Sequence, residues 1–169
     1  LLLGLVCGLV AVAMMRSVFW AEGLGDRLQA GTGMPRWLRP ACSGAMLGAL
    51  ATGFPHIIGV GYETTSDALT GNLLLHEAIV FAMLKTAAVA ITFAGRMGGG
   101  IFSPSLMLGA LTGLAYGLIA TAVFPEVSGS ETLYALAGMG AVAAAVLGAP
   151  ISTTLIVFEM TGDWQTGLA

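Results

Sequence analysis

The chain has 169 residues, of which 57% are hydrophobic and only 9% charged, with a formal net charge of −3. A soluble domain carries about 25% charged residues, so at a mean hydropathy of +0.91 this chain reads as an integral, multi-pass protein of the lipid bilayer. Nucleic acid is excluded as a partner for want of a basic patch, and Cys7 and Cys42, in or beside apolar segments, read as small buried hydrophobes with no disulfide framework or metal pair.

Residues 1–19 predict a helix, with Gly4 and Gly8 spaced for a close-packing face. No basic stretch precedes this apolar run, so it reads as the tail of a membrane helix and not as a signal-peptide core. The chain as a whole reads as truncated at both ends. Residues 16–39 hold four of the six basic residues, Arg16, Arg27, Arg36 and Arg39, together with Glu22 and Asp26. That excess of arginine places the stretch on the cytoplasmic side. Trp20 and Trp37 suit the headgroup belt, and Gly31-Thr32-Gly33-Met34-Pro35 reads as a turn.

Residues 40–61 form a second apolar segment, with Gly44, Gly48 and Ala51 on one face and a bend at Phe54-Pro55-His56. His56 reads as a solvated or capping histidine. The following polar stretch, residues 59–71, reads as a short capped surface helix. Its Glu63 and Asp67 lack the further ligands a metal would need. Residues 72–94 form a third apolar segment, with His76 and Glu77 near its start and Lys85 near its middle. A lysine inside a membrane helix is costly unless it snorkels, pairs or faces water. For Lys85, lining an aqueous route is as open as the plainer alternative of snorkelling or pairing with a carboxylate.

The chain then reaches Gly98-Gly99-Gly100-Ile101-Phe102-Ser103-Pro104-Ser105, inside a charge-free run from residue 97 to residue 125. Three glycines end one segment, and their freedom to take positive φ brings backbone amides close to anything bound there. Pro104 falls in the first turn of the next helix, where a missing N–H costs nothing. The amides of Ile101, Phe102 and Ser103 are then without intrahelical partners, and such a helix start favours an anion. A ligand-free interhelical turn is the plainer reading.

Beyond this pivot, Gly109, Gly113 and Gly117 repeat every four residues as a flat packing face, and Gly140, Ala144 and Gly148 predict a second one. Residues 124–131 read as a loop bearing Glu126 and Glu131. Gly148-Ala149-Pro150 repeats the logic of the pivot, a glycine closing one helix and a proline opening another, with Ser152, Thr153 and Thr154 able to bond nearby carbonyls. Residues 151–160 are too few to span a bilayer, and Thr161, Asp163 and Trp164 after them mark an interface. Helices that break and restart at membrane depth must be buried in protein or line a cavity, and transporters place such helix ends near a bound ion.

These residues resemble the CLC family of chloride channels and proton/chloride antiporters. Gly100-Ile101-Phe102-Ser103-Pro104 is similar to its Gly-x-Phe-x-Pro signature. Ala137-Gly138-Met139-Gly140-Ala141 and the run from Gly148-Ala149-Pro150-Ile151 to Glu159-Met160-Thr161-Gly162-Asp163 resemble its late helices. The resemblance implies an all-α membrane fold of tilted and discontinuous helices, with residues 1–169 a part of the second of two inverted repeats. It implies a central anion held by the backbone amides of Ile101 and Phe102, with Gly100, Ser103 and Pro104 completing the selectivity motif. It also implies a homodimer through the helix of residues 151–160, for which Leu155, Ile156 and Phe158 are the contact candidates. The family's Gly-Arg-Glu-Gly-Pro and Gly-Ser-Gly-Ile-Pro motifs do not occur in these residues, so Glu63, Glu77 and Glu159 are not promoted to its proton-handling roles.

The function expected is transmembrane chloride transport, with proton-coupled exchange preferred over a passive channel or a fluoride-selective carrier, and the bacterial inner membrane as location. Chloride and protons are the expected partners, without cofactor or metal. A non-transporting membrane scaffold explains the glycine faces but not the two helix restarts. An enzyme is not expected, since His56 and His76 lack a carboxylate or cysteine set that would make a triad or metal site.

Overall fold

The structure, a computed structural model, describes residues 1–54, 61–70, 73–123 and 130–161. His56, Glu126, Asp163 and Trp164 lie outside them, as does the side chain of Glu63. The described residues form seven helices: α1 (Leu2–Thr32), α2 (Leu38–Gly53), α3 (Tyr62–Thr70), α4 (Leu75–Ala94), α5 (Phe102–Val123), α6 (Glu131–Leu147) and α7 (Pro150–Thr161). Among the described residues there is no strand. Three helices, α1, α4 and α5, are long and apolar enough to cross a membrane.

The first helix is longer than its sequence suggests. Charged residues from Arg16 onward do not interrupt it, and the turn starts only at Gly33, whose φ of 63° closes the helix with a left-handed residue. Its 31 residues reach about 46 Å at 1.5 Å each, against a hydrocarbon core of about 30 Å. The charged half therefore projects beyond the apolar zone or the helix tilts. Cys7, Ala11, Met14 and Val18 make the buried stripe of α1, while Leu2, Leu5, Leu9 and Val12 face outward as a lipid-facing surface would. Gly4 and Gly8 meet no partner among the described residues, where a Cβ on either would have nothing within 4 Å. Cys42 is exposed and only Cys7 is buried, so the expectation of two buried cysteines holds for one.

Helix α5 is the centre. Its sequence is apolar all round, which marks a helix surrounded by protein, and Met107, Leu108, Leu111 and Leu114 are all nearly or fully buried. Helix α6 lies against it through glycine. A Cβ on Gly138 would sit 2.5 Å from the Gly109 carbonyl oxygen and 2.7 Å from Gly113 Cα. Gly109 and Gly113 in turn face the backbone of Gly138, Met139, Tyr134 and Ala135, and Gly117 faces Tyr134. The predicted second face, Gly140-Ala144-Gly148, is not the partner. Gly140 only touches Val157, and a Cβ on Gly148 would meet nothing. Gly148 instead takes φ 65° as the left-handed end of α6.

The second restart matches its sequence. Gly148 ends α6, Pro150 is the first residue of α7, and the Thr153 and Thr154 hydroxyls donate to the Ala149 and Pro150 carbonyls at 2.9 and 2.8 Å. At 17 and 12 residues, α6 and α7 are about 26 and 18 Å long, each shorter than the bilayer core. Helix α7 buries Thr153 and Val157 and leaves Ile151 and Leu155 exposed.

Candidate functional site: the α4–α5 pivot

Helix α4 starts on a carboxylate: Glu77 Oε2 accepts from the Leu74 N–H at 3.0 Å, a favourable charge at a helix N-terminus. It ends in a compact turn. The Arg96 N–H donates to the Phe93 carbonyl at 2.9 Å and the Met97 N–H to the Thr92 carbonyl at 3.2 Å, the paired bonds of a Schellman closure. The left-handed residue of that closure is Arg96, at φ 52°, where glycine is the usual choice. The neighbouring glycine is needed elsewhere, because a Cβ on Gly95 would lie 2.5 Å from Ser43 Cβ of α2. Close helix packing takes the glycine, and the strained backbone falls to an arginine.

That arginine is held by charge. Asp26 of α1 bonds Arg96 at 3.1 Å through both oxygens and also pairs with Arg39 of α2. Bonding to Asp26 raises the Arg96 guanidinium's pKa above its ordinary value. Arg39 is 6% exposed. Its Nε donates to the Ala94 carbonyl at 2.6 Å, and its other nitrogens reach Gln29 Oε1 and the Glu22 carbonyl. Gly25 leaves room for this guanidinium, since a Cβ there would lie 2.6 Å from an Arg39 nitrogen. Two arginines, one aspartate and the last carbonyl of α4 thus tie α1 and α2 to the residue just before the pivot.

Replacing Arg39 by methionine should therefore lower stability by about 2 kcal/mol, chiefly through the lost charge-assisted bond to Ala94. The half-exposed Asp26 partner adds little. Thermal unfolding of the detergent-solubilised full-length protein checks this. Arg39→Lys should recover only part of the loss, because an ammonium cannot reproduce the planar fork.

The pivot itself is a bend at Ile101 followed by α5, whose first residue is Phe102. Pro104 is the third helical residue, and the first internal bond runs from the Ser105 N–H to the Ile101 carbonyl at 3.1 Å. Among the described residues, the amides of Ile101 and Phe102 have no hydrogen-bond partner. The Ser105 hydroxyl, fully buried, donates to the Phe102 carbonyl at 2.6 Å and braces the first turn. The Ile101 side chain packs against the Met14, Val18, Val89 and Leu108 cluster, so the residue is anchored by its side chain while its N–H stays available. One expectation fails here: none of Gly98, Gly99 and Gly100 has positive φ. They serve by being small. They are exposed, and Gly99 and Gly100 leave backbone open on a cavity of about 340 Å³.

That cavity runs between α2, α4 and the pivot. Pro104, Gly100 and Gly99 line one end, and Thr92 and Lys85 of α4 line its wall. Gly44 and Gly48 of α2 line it, and a Cβ on either would meet nothing within 4 Å among the described residues, which is where the predicted small-residue face of that segment goes. Ser103 is half-buried. The dimer candidates lie apart from the pivot, on α7: Leu155 is exposed, Ile156 and Phe158 half-buried. Arg39, Asp26 and the clamp they make were not legible as part of the site, because their partners lie 10 to 70 residues away in sequence.

Among the described residues, three helices long and apolar enough to span, shorter apolar helices that break and restart, and a helix start with open amides define a multi-pass membrane protein built around an interrupted helix. The family model described as "Voltage gated chloride channel" matches residues 1–169. The chain belongs to this CLC chloride channel family. It is 33% identical over 166 residues to a protein of Ralstonia nicotianae (strain ATCC BAA-1114 / GMI1000) named "Putative chloride channel protein ClcB-like". That match covers 98% of this chain and 38% of the relative.

Proposed function

We propose that the protein of which this chain is part carries chloride, or a similar small monovalent anion, across a bacterial inner membrane, and does so by proton-coupled exchange. The observation that carries the reading is the pair of Ile101 and Phe102 amides, without partners among the described residues, at the start of α5, beside a cavity, in a chain of this family. Partial positive charge from two N–H groups and a helix start attracts an anion and repels cations. It does so without a full charge that would hold the ion too tightly for turnover. Arg96, the nearest cation in sequence, has its guanidinium 61% exposed and already paired with Asp26. The preference for proton coupling rests on the resemblance to compact bacterial members. Reversal potentials of the full-length protein, measured against anion gradients and pH, test this: a potential set by both chloride and pH supports exchange. One set by chloride alone means a channel, and one that follows fluoride means a fluoride carrier.

A homodimer through α7 goes with this reading. Ile151 and Leu155, one turn apart, form an exposed apolar stripe on a helix too short to span alone. Replacing Leu155 and Ile156 together by tryptophan should shift the full-length protein toward monomer in detergent. Cross-linking that still captures only dimer would contradict this placement. A scaffold without a solute path is less well supported, because it gives the open amides and the cavity no role.

A further inference from the structure

The turn before the pivot is imposed from another helix. Arg96 stands at φ 52°, a left-handed conformation that is unfavourable for any residue with a Cβ and persists where its surroundings fix it. Its Nη2 donates to both carboxylate oxygens of Asp26 on α1, each at 3.1 Å. We infer that Asp26 is a positioning residue for the anion site: acting through Arg96, it holds the turn that aims the Ile101 and Phe102 amides. The inference rests on the reading of the pivot as an anion site.

The chain between this turn and the two amides is held at its ends. Gly98, Gly99 and Gly100 are exposed and carry no side chain that could anchor them. One end is the Ile101 side chain, packed against Met14, Val18, Val89 and Leu108. The other is the closure of α4, where the Arg96 and Met97 amides donate to the Phe93 and Thr92 carbonyls. A change of φ at residue 96 redirects every bond after it, so the Ile101 and Phe102 N–H groups lose their aim even while the Ile101 side chain stays seated. Arg39 of α2 pairs with the same Asp26 carboxylate, which keeps it between the two helices and beside the turn. With the Arg96 side chain 61% and that of Asp26 45% exposed, the pair adds little to overall stability. That suits a pair that sets the direction of the chain and does not hold the fold. Glycine takes the left-handed conformation unaided, so with glycine at position 96 Asp26 has nothing to hold.

The test is calorimetric chloride binding to the full-length protein, with folding checked by thermal unfolding. Asp26→Ala should raise the dissociation constant about three- to fivefold, the range open to a partly exposed ion pair that shifts the turn between two conformations. Removing a negative charge would by itself tighten anion binding, so a weakening does not come from the lost field. In the Arg96→Gly background the same replacement should change the constant by less than about twofold, because glycine needs no brace. Should the Asp26 variant not fold, residue 96 gives the answer alone. Arg96→Ala keeps the Cβ and loses the brace, and should bind about fivefold more weakly than Arg96→Gly. A folded Asp26→Ala protein that binds as its parent does overturns the inference. So does an equal loss in both backgrounds, or equal affinity of the alanine and glycine variants at residue 96. Failure of the underlying reading is a different result, namely chloride binding unchanged by Ile101→Pro.

Discussion

Gly138→Val should severely destabilise the full-length protein. The added Cβ falls 2.5 Å from the Gly109 carbonyl oxygen, 2.7 Å from Gly113 Cα and 2.9 Å from Gly113 N. All three are backbone atoms, so no side chain can rotate away, and the two helices must separate. Overpacking of a core costs about 1–3 kcal/mol when side chains can adjust. Here the backbones themselves must move, and about 3 kcal/mol is a lower expectation against a total stability of roughly 5–15 kcal/mol. Helix separation also opens the contacts that Met139 and Leu111 share in the central cluster. Gly138→Ala should be intermediate, and Gly4→Ala, which meets nothing within 4 Å, should be neutral. Gel filtration and thermal unfolding in detergent rank the three. A monodisperse Gly138→Val protein of parental stability would show that α5 and α6 do not pack through these glycines.

The second large effect is at the pivot. Ile101→Pro deletes one of the two open N–H groups, and a charge-assisted hydrogen bond is worth about 1.5–3 kcal/mol. Chloride affinity should fall by about ten- to a hundredfold, read by calorimetry on the full-length protein with helicity followed in parallel. Ile101→Val should bind as the parent does, because the proposed ligand is main chain and the side chain packs beside Met14, Val18, Val89 and Leu108. Changing Phe102 to leucine should alter flux more than affinity. Helicity and thermal stability of the proline variant equal to the parent's separate loss of the donor from loss of fold.

The parts of this site that were legible in the sequence are those set by local chemistry. Pro104 in the first turn of α5, Gly148 and Pro150 at the second break, and Gly109-Gly113-Gly117 on one face each follow from backbone rules within a few residues. The parts that were not legible depend on what lies across the fold. Gly138 is the partner of Gly109 and Gly113, although Gly140-Ala144-Gly148 has the neater spacing. Which small residues meet is decided by how α6 is rotated against α5, and spacing alone does not fix that. Gly25 and Gly95 clear space for the Arg39 guanidinium and for Ser43, roles that no local pattern announces. Charged residues 16–39 read as a cytoplasmic border. Arg39 and Asp26 also brace the left-handed Arg96 that launches the pivot. Positive φ was expected at Gly98–Gly100 and occurs instead at Arg96, because the Schellman closure of α4 fixes where the chain must turn.

The most direct test of the central claim is to locate the anion. Crystals of the full-length protein soaked in bromide, which replaces chloride and scatters anomalously, should show a peak within hydrogen-bonding distance of the Ile101 and Phe102 nitrogens, about 3 Å or slightly more for so large an ion. Bromide peaks elsewhere in the membrane region, with none at these two amides, would contradict the account.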